Sequence, residues 1–261
     1  MFEPTLAYNY GLFVNQIEIS DEISSATPEV KWIKGSKMED NGSIMDLTIS
    51  LDNIVSPEIK IVDTYKGHEG SYFKALATYG EGDKLNEYYE SLIKSKLGED
   101  ATVNEIVASG TQITKNSIED PFRLSATAKV PSLVEVAGTE YLFKIGNVIG
   151  EQVQMYQKKE RLYNAEVQFP HFYKRTIKFT IPEGYQVDGL GGLKIDLTYG
   201  NDEGKTIGFT SDYTIKNNTV SVEVYEFYKE TTYSLDQFEE FRTVINAAAD
   251  FNKIVILFTK K

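Results

Sequence analysis

Cysteine is absent from this chain of 261 residues. That absence excludes disulfides, a thiolate nucleophile and cysteine-ligated zinc or iron–sulfur centres. Histidine occurs only twice, at His68 and His171. Basic residues fall short of acidic ones, 27 against 39, for a net charge of −12. Such a balance repels phosphate backbones and anionic lipid surfaces, and no stripe of Lys and Arg overcomes it locally, so nucleic acid is not an expected partner. No apolar run approaches the roughly 18 residues that span a bilayer, so membrane insertion is not expected. The opening MFEPTLAYNYGLFVNQ lacks the basic start, apolar run and small-residue cleavage site of a secretory signal. If the protein is exported, that signal is expected further upstream.

What the chain does contain is ample apolar material, 41% hydrophobic and 12% aromatic, enough for one large or two modest domains. It is organised around residues 175–187, RTIKFTIPEGYQV. Ile177, Phe179 and Ile181 alternate with Thr176, Lys178 and Thr180, so a strand here buries one face and wets the other. Pro182-Glu183-Gly184 ends it, since proline cannot donate to a ladder and glycine accepts the backbone of a tight turn; the chain re-enters a sheet near Tyr185.

Residues 1–29 read as an irregular N-terminal connection entered partway, with a strand candidate from Leu12-Phe13-Val14 through Ile17 and Ile19. From Val30 the pattern is β. Asn41-Gly42 signals a hairpin between WIKGSKMED and SIMDLTISL, because both residues accept positive φ. Leu47, Ile49 and Leu51 alternate with polar neighbours, and Ile59, Ile61 and Tyr65 continue after Pro57. The spacing of Phe73, Leu76 and Ala77 predicts a helix over 71–79. A second helix is predicted over 84–97, with Asp83 as N-cap and Gly98 as terminator. Strands resume at 103–107 and 122–130. These elements make a first lobe, residues 30–150, followed by a polar seam over 151–165.

The second lobe, residues 151–261, is a β-sandwich-like domain with one helix. Leu193, Ile195, Leu197 and Tyr199 alternate with Lys194, Asp196 and Thr198, and residues 200–204 form a turn. Asn217-Asn218 suits a tight hairpin, because Val220, Val222 and Val224 restore alternation at once. Ser234 and Gln237 form a capping box that starts a helix over about 235–249, with Leu235, Phe238, Phe241, Val244, Ile245 and Ala248 as its buried stripe. Residues 254–258, IVILF, are apolar on both faces and predict a central or fully covered strand.

This order of elements resembles the C-terminal domain of bacterial transglutaminase-like superfamily proteins: strand, PEGY turn, further strands, a capped helix carrying Phe238, Glu239, Glu240 and Phe241, and a closing IVILF strand. NAEVQFPHFYKRTIKFTIPEGYQV is similar to that domain's entry. SYFKALATY and KLNEYYESLIKSKL are similar to the segment linking it to the papain-like catalytic core. The resemblance covers residues 30–261 and implies an exported setting, periplasmic or extracellular. It places chemistry in a cysteine, histidine and aspartate of the core; this chain has no cysteine to inherit the first role. Residues 188–192 depart from the family, where a proline-containing linker usually follows the turn.

Other residues read as structural. Gly67-His68-Glu69-Gly70-Ser71 places a base beside a carboxylate and a hydroxyl, but neighbours on a loop rarely face one another, and a turn before a helix explains them. His171 lies among Phe169, Pro170, Phe172 and Tyr173, a packed aromatic ridge before it is a sugar-stacking platform. Acidic pairs at 21–22, 39–40, 119–120, 202–203 and 239–240 are sequence neighbours, whereas glycosidases need carboxyls facing across a cleft, and none follows the D-x-D-x-D-G calcium loop. Gly189-Leu190-Gly191-Gly192 lacks the Lys-Ser/Thr and helix of a phosphate loop.

The expectation is a mainly β (α+β) protein of two lobes of antiparallel sheet or β-sandwich, each supported by one or two helices. It is expected to be a non-enzymatic accessory or interaction module, with no catalytic, cofactor-binding or metal residues. Its expected partner is another protein or the catalytic domain of a parent protein. The alternative is a carbohydrate- or peptide-binding β-sandwich that uses the aromatics of residues 169–173; a hydrolase with two facing carboxylates is a weaker third.

Overall fold

The computed structural model describes residues 6–20, 23–113, 120–156 and 161–261. In chain order the strands and α-helices are β1 (Asn9–Ser20), β2 (Ile23–Ile33), β3 (Gly42–Ser50), β4 (Glu58–Lys66), α1 (Gly67–Tyr79), α2 (Gly82–Leu97), β5 (Thr102–Ser109) and β6 (Phe122–Lys129). They continue as β7 (Val134–Ala137), β8 (Glu140–Phe143), β9 (Ala165–Glu166), β10 (His171–Thr180), β11 (Tyr185–Asp188), β12 (Ile195–Asn201), β13 (Gly204–Lys216), β14 (Thr219–Tyr228), β15 (Thr232–Tyr233), α3 (Phe238–Phe251) and β16 (Ile256–Lys260). The protein is mainly β, as its alternating patterns predict.

Eight strands form the main sheet, in the order β12-β13-β14-β10-β3-β4-β6-β5. Its pairs are antiparallel except that β10 lies parallel to β3, with Ile177 beside Leu47 and Phe179 beside Ile49. Parallel neighbours require a long crossover, and everything between β3 and β10 supplies it. The two stretches divided in the sequence at 151–165 thereby contribute strands to one sheet and side chains to one hydrophobic core. Within residues 1–29 the described part differs from expectation: β1 and β2 form a long antiparallel hairpin, Tyr10 opposite Trp32 and Leu12 opposite Val30, and residues 1–5 and 21–22 lie outside the described residues.

The PEGY turn carries the chain from the main sheet into a second one. Tyr185 N–H donates to the Pro182 carbonyl at 3.1 Å, and Gly184 takes φ +79°, a conformation glycine adopts without strain. The second sheet has the order β11-β16-β8-β7. The closing strand β16 is therefore central, with Ile256 and Phe258 fully buried. Ring contacts of Phe179 with Phe143 (5.7 Å) and Phe258 (6.1 Å) seat this sheet on the inner face of the main one. The rest of that face is covered by helices. Phe73 and Tyr89 of α1 and α2 meet Phe122 of β6 at 5.3 and 6.0 Å. Phe251 and Phe241 of α3 meet Phe209 of β13 and Tyr228 of β14 at 5.9 and 6.0 Å. Each such side chain taken fully out of water contributes about 1.5–3 kcal/mol.

Local signals fare unevenly. Asn217 and Asn218 take φ of 50° and 60° and join β13 to β14 in a two-residue hairpin. Ser234 N–H donates to Gln237 Oε1 at 3.0 Å, but the box opens a short 3-10 turn, residues 235–237, that precedes α3 and leaves Leu235 exposed. Gly98 ends α2, its N–H on the Lys94 carbonyl, whereas Asp83 lies in the first turn and Glu81 is the N-cap. Asn41-Gly42 is not a hairpin: β2 pairs with β1, and β3 with β4 and β10. The Asn41 side chain is instead fully buried, donating to Ser36 Oγ (2.7 Å) and the Pro170 carbonyl (3.1 Å) and accepting the His68 N–H (3.1 Å). That last bond lets α1 begin at Gly67, four residues earlier than predicted.

Candidate functional site

Side chains two apart on a strand share a face, and the inner face of the main sheet changes character along its strands. One end is apolar, with Ile177 and Phe179 on β10, Leu47 and Ile49 on β3, and Ile59 and Ile61 on β4. The other end is ionisable. Arg175 is paired in register with Met45, and Met45 with Asp63; one rung on, Glu226, Tyr173, Ser43 and Tyr65 lie side by side.

Two ion pairs anchor this band. Arg175 Nη1 lies 3.0 Å from Glu226 Oε2, with both side chains under a tenth exposed, and Tyr228 Oη donates to Glu226 Oε1 at 2.7 Å. Lys96 Nζ, from α2, donates to Asp63 Oδ2 at 2.6 Å and to Tyr65 Oη at 2.7 Å. Asp63 is wholly buried, and its Oδ1 has no hydrogen-bond partner among the described residues. Glu69, from α1, joins through a hydrogen bond with Tyr173; burial raises its carboxyl above the ordinary range, against Lys96, the Tyr173 bond and Arg175. Burial, then the neighbouring carboxylates, pushes the phenols of Tyr65, Tyr173 and Tyr228 up, so all three remain protonated donors.

Two cavities flank the band, and Tyr173 and Arg175 border both. One, about 300 Å³, lies under α1 and α2 against Glu69, Phe73 and Lys96. The other, about 370 Å³, lies under α3 against His171, Glu226, Tyr228 and Phe241.

The structure draws together what the sequence sets apart. His68 and His171 both approach Phe169, with ring centroids 4.9 and 5.6 Å from it. Residues 67–71 open α1 and are not a turn ahead of it. The aromatics of 169–173 do not present a flat platform. Phe172 faces the opposite side of the sheet, buried with Met38 and Phe227, while His171 and Tyr173 are half-buried on the inner face. Of the acidic pairs, Glu39-Asp40 and Glu239-Glu240 sit in first helical turns, and Asp202-Glu203 lies in the β12–β13 connection. Asp21, Glu22 and Glu119 lie outside the described residues. Gly189, at φ +86°, starts a 3-10 turn that links β11 to β12. No group of three metal-ligating side chains occurs among the described residues.

Sequence reasoning missed Asp63, Glu69, Lys96, Arg175 and Glu226 as a set. A signal exists for three of them. Asp63 follows Ile59 and Ile61, Glu226 follows Val222 and Val224, and Arg175 precedes Ile177 and Phe179, each a charge at an inward position of an apolar alternation.

The hairpin is the second notable surface. Tyr10 (69% exposed), Leu12 (68%), Val30 (65%) and Trp32 (53%) occupy one face of β1–β2. This sheet is only two strands wide and pairs with no other strand among the described residues. No helix among them is long and apolar enough to cross a membrane. Comparison with family models, with curated proteins and with solved structures returns no match.

Proposed function

We propose that the protein is a non-enzymatic accessory module that binds another protein domain through the apolar face of its N-terminal hairpin. The observation that carries this reading is the joint exposure of Tyr10, Leu12, Val30 and Trp32 on a two-stranded sheet. An isolated hairpin is marginal in water, and a contiguous exposed apolar face is a mark of an interaction site. The missing cysteine supports a non-catalytic role, because the core it resembles a companion of works through that nucleophile. The partner proposed is a papain-like catalytic domain of the kind that precedes this region in transglutaminase-like proteins, in a periplasmic or extracellular setting.

Trp32 is the chain's only tryptophan, so its fluorescence reports on this face directly. Adding such a catalytic domain should shift Trp32 emission to the blue. Leu12→Lys should abolish that shift and leave the thermal unfolding of the chain in place. Turnover of amide, peptide or acyl-transfer substrates by the purified chain overturns the reading, as does unshifted Trp32 emission at saturating domain.

A further inference from the structure

The cavity under α3 has a composition that hairpin docking does not use. His171 Nδ1 lies 2.8 Å from the Phe169 carbonyl oxygen. A carbonyl can only accept, so Nδ1 carries the ring proton and Nε2 is left with a bare lone pair. Burial lowers the imidazole's pKa below its ordinary value, against the Phe169 bond and the Glu226 charge, so the ring stays neutral near pH 7. It stacks on Tyr228 at 4.9 Å and meets Tyr173 edge-on at 5.2 Å.

The other polar groups add acceptors. Gln152 spends its amide nitrogen on the carbonyls of Ile149 and Gly150, at 3.2 and 3.1 Å, which leaves Oε1. Glu226 faces the cavity from the sheet, and Glu151 is exposed at its edge. Arg175 is the one cation in the lining, and Glu226 already neutralises it. The walls are aromatic or aliphatic, with Tyr173, Tyr228 and Phe241 foremost. Acceptor lone pairs thus remain at His171 Nε2, Gln152 Oε1 and Glu151, and the Arg175 guanidinium lies over the Tyr173 ring at 5.1 Å.

We propose that this cavity binds a primary ammonium group, carried either by a free alkylamine or by a lysine side chain of a partner polypeptide. An ammonium brings three donors and no acceptor, which complements His171 Nε2, Gln152 Oε1 and the Glu151 carboxylate at the cavity edge. A cavity of about 370 Å³ is at the small end of ligand pockets and suits a short alkyl chain. The net charge of −12 attracts cations from a distance.

With two histidines in the chain, ring ¹⁵N spectra of the histidine-labelled protein read the site directly. Butylammonium chloride should move the His171 signals saturably, and butanol and butyrate at equal concentration should not. Glu151→Gln should weaken butylammonium binding about two- to fivefold, the effect of one partly exposed ion pair. His171→Phe keeps an aromatic ring in the stack and removes the acceptor, so the butylammonium-induced rise in Tm should be lost while the fold remains. A pentapeptide with a central lysine that binds more tightly than butylammonium, and whose norleucine counterpart does not bind, assigns the group to a partner polypeptide; equal binding assigns it to a free amine. Absence of saturable His171 movement, or equal movement with butanol, overturns the proposal. Neither outcome bears on Trp32 emission, which tests the hairpin separately.

Discussion

Asn41 Oδ1 accepts the backbone N–H of His68 at 3.1 Å, across 27 positions of sequence, so α1 is capped from outside its own neighbourhood. The same side chain donates to the Pro170 carbonyl, just ahead of β10. Asn41→Ala removes a cap worth about 1 kcal/mol and leaves buried partners unmet at about 1–3 kcal/mol. The expected loss of about 2–4 kcal/mol is read from urea unfolding, and a loss under about 0.5 kcal/mol contradicts the assigned role.

Lys96 and Asp63 tie α2 to β4 inside the band. Lys96→Met alone strands a fully buried carboxylate and is expected to cost about 3–5 kcal/mol. Combining it with Asp63→Leu removes both charges and should recover most of that loss. A double-mutant cycle by chemical denaturation measures the coupling; additive effects of the two changes argue against it.

Lys74 of α1 is fully buried, and its Nζ has no hydrogen-bond partner among the described residues. A buried amino group without hydrogen-bond partners is costly. Lys74→Met keeps the aliphatic stem and should raise stability by about 1–4 kcal/mol, seen as a higher denaturant midpoint at unchanged slope. A lower midpoint means that the Lys74 amino group contributes a contact that methionine cannot replace.

Stability should decline toward both ends of the pH scale, for opposite reasons. Burial raises the Glu69 carboxyl above its ordinary 4.5, against Lys96, Tyr173 and Arg175. Its contribution is fully present below the unfolded value and is lost as pH rises through the native one. Burial lowers the His171 imidazole below its ordinary 6.5, against the Phe169 carbonyl and Glu226. Its contribution is present above 6.5 and is lost as pH falls through the lowered value. Glu69→Gln should therefore remove the decline above about pH 4.5, and His171→Phe the decline below about pH 6.5. Tm measured across that range checks both signs; a Glu69→Gln curve that stays parallel to the wild type above pH 4.5 refutes the first.

The strand and turn pattern was largely legible because its causes are local. Ile177 and Phe179 alternate with polar neighbours, Asn217-Asn218 accepts two positive φ angles, and Gly98 terminates a helix, all within a few residues of one another. Asn41-Gly42 misled for the opposite reason. Its hairpin preference is weaker than the buried bonds Asn41 makes to residues far along the chain. The candidate site was legible only as inward-facing charges, because Asp63, Glu69, Lys96, Arg175 and Glu226 come from separate elements and nothing in their spacing says which of them meet.

The amino-acid order by itself determined the class of the protein, the alternating strands, the sharp turns and the lack of a thiol, since side-chain period and backbone freedom act over short distances. Tertiary structure alone decided that β10 lies beside β3, that paired charges line one end of a shared face, and that an apolar hairpin stands uncovered. Those outcomes depend on burying surface between segments distant along the chain, and the energy of such burial belongs to the packed whole.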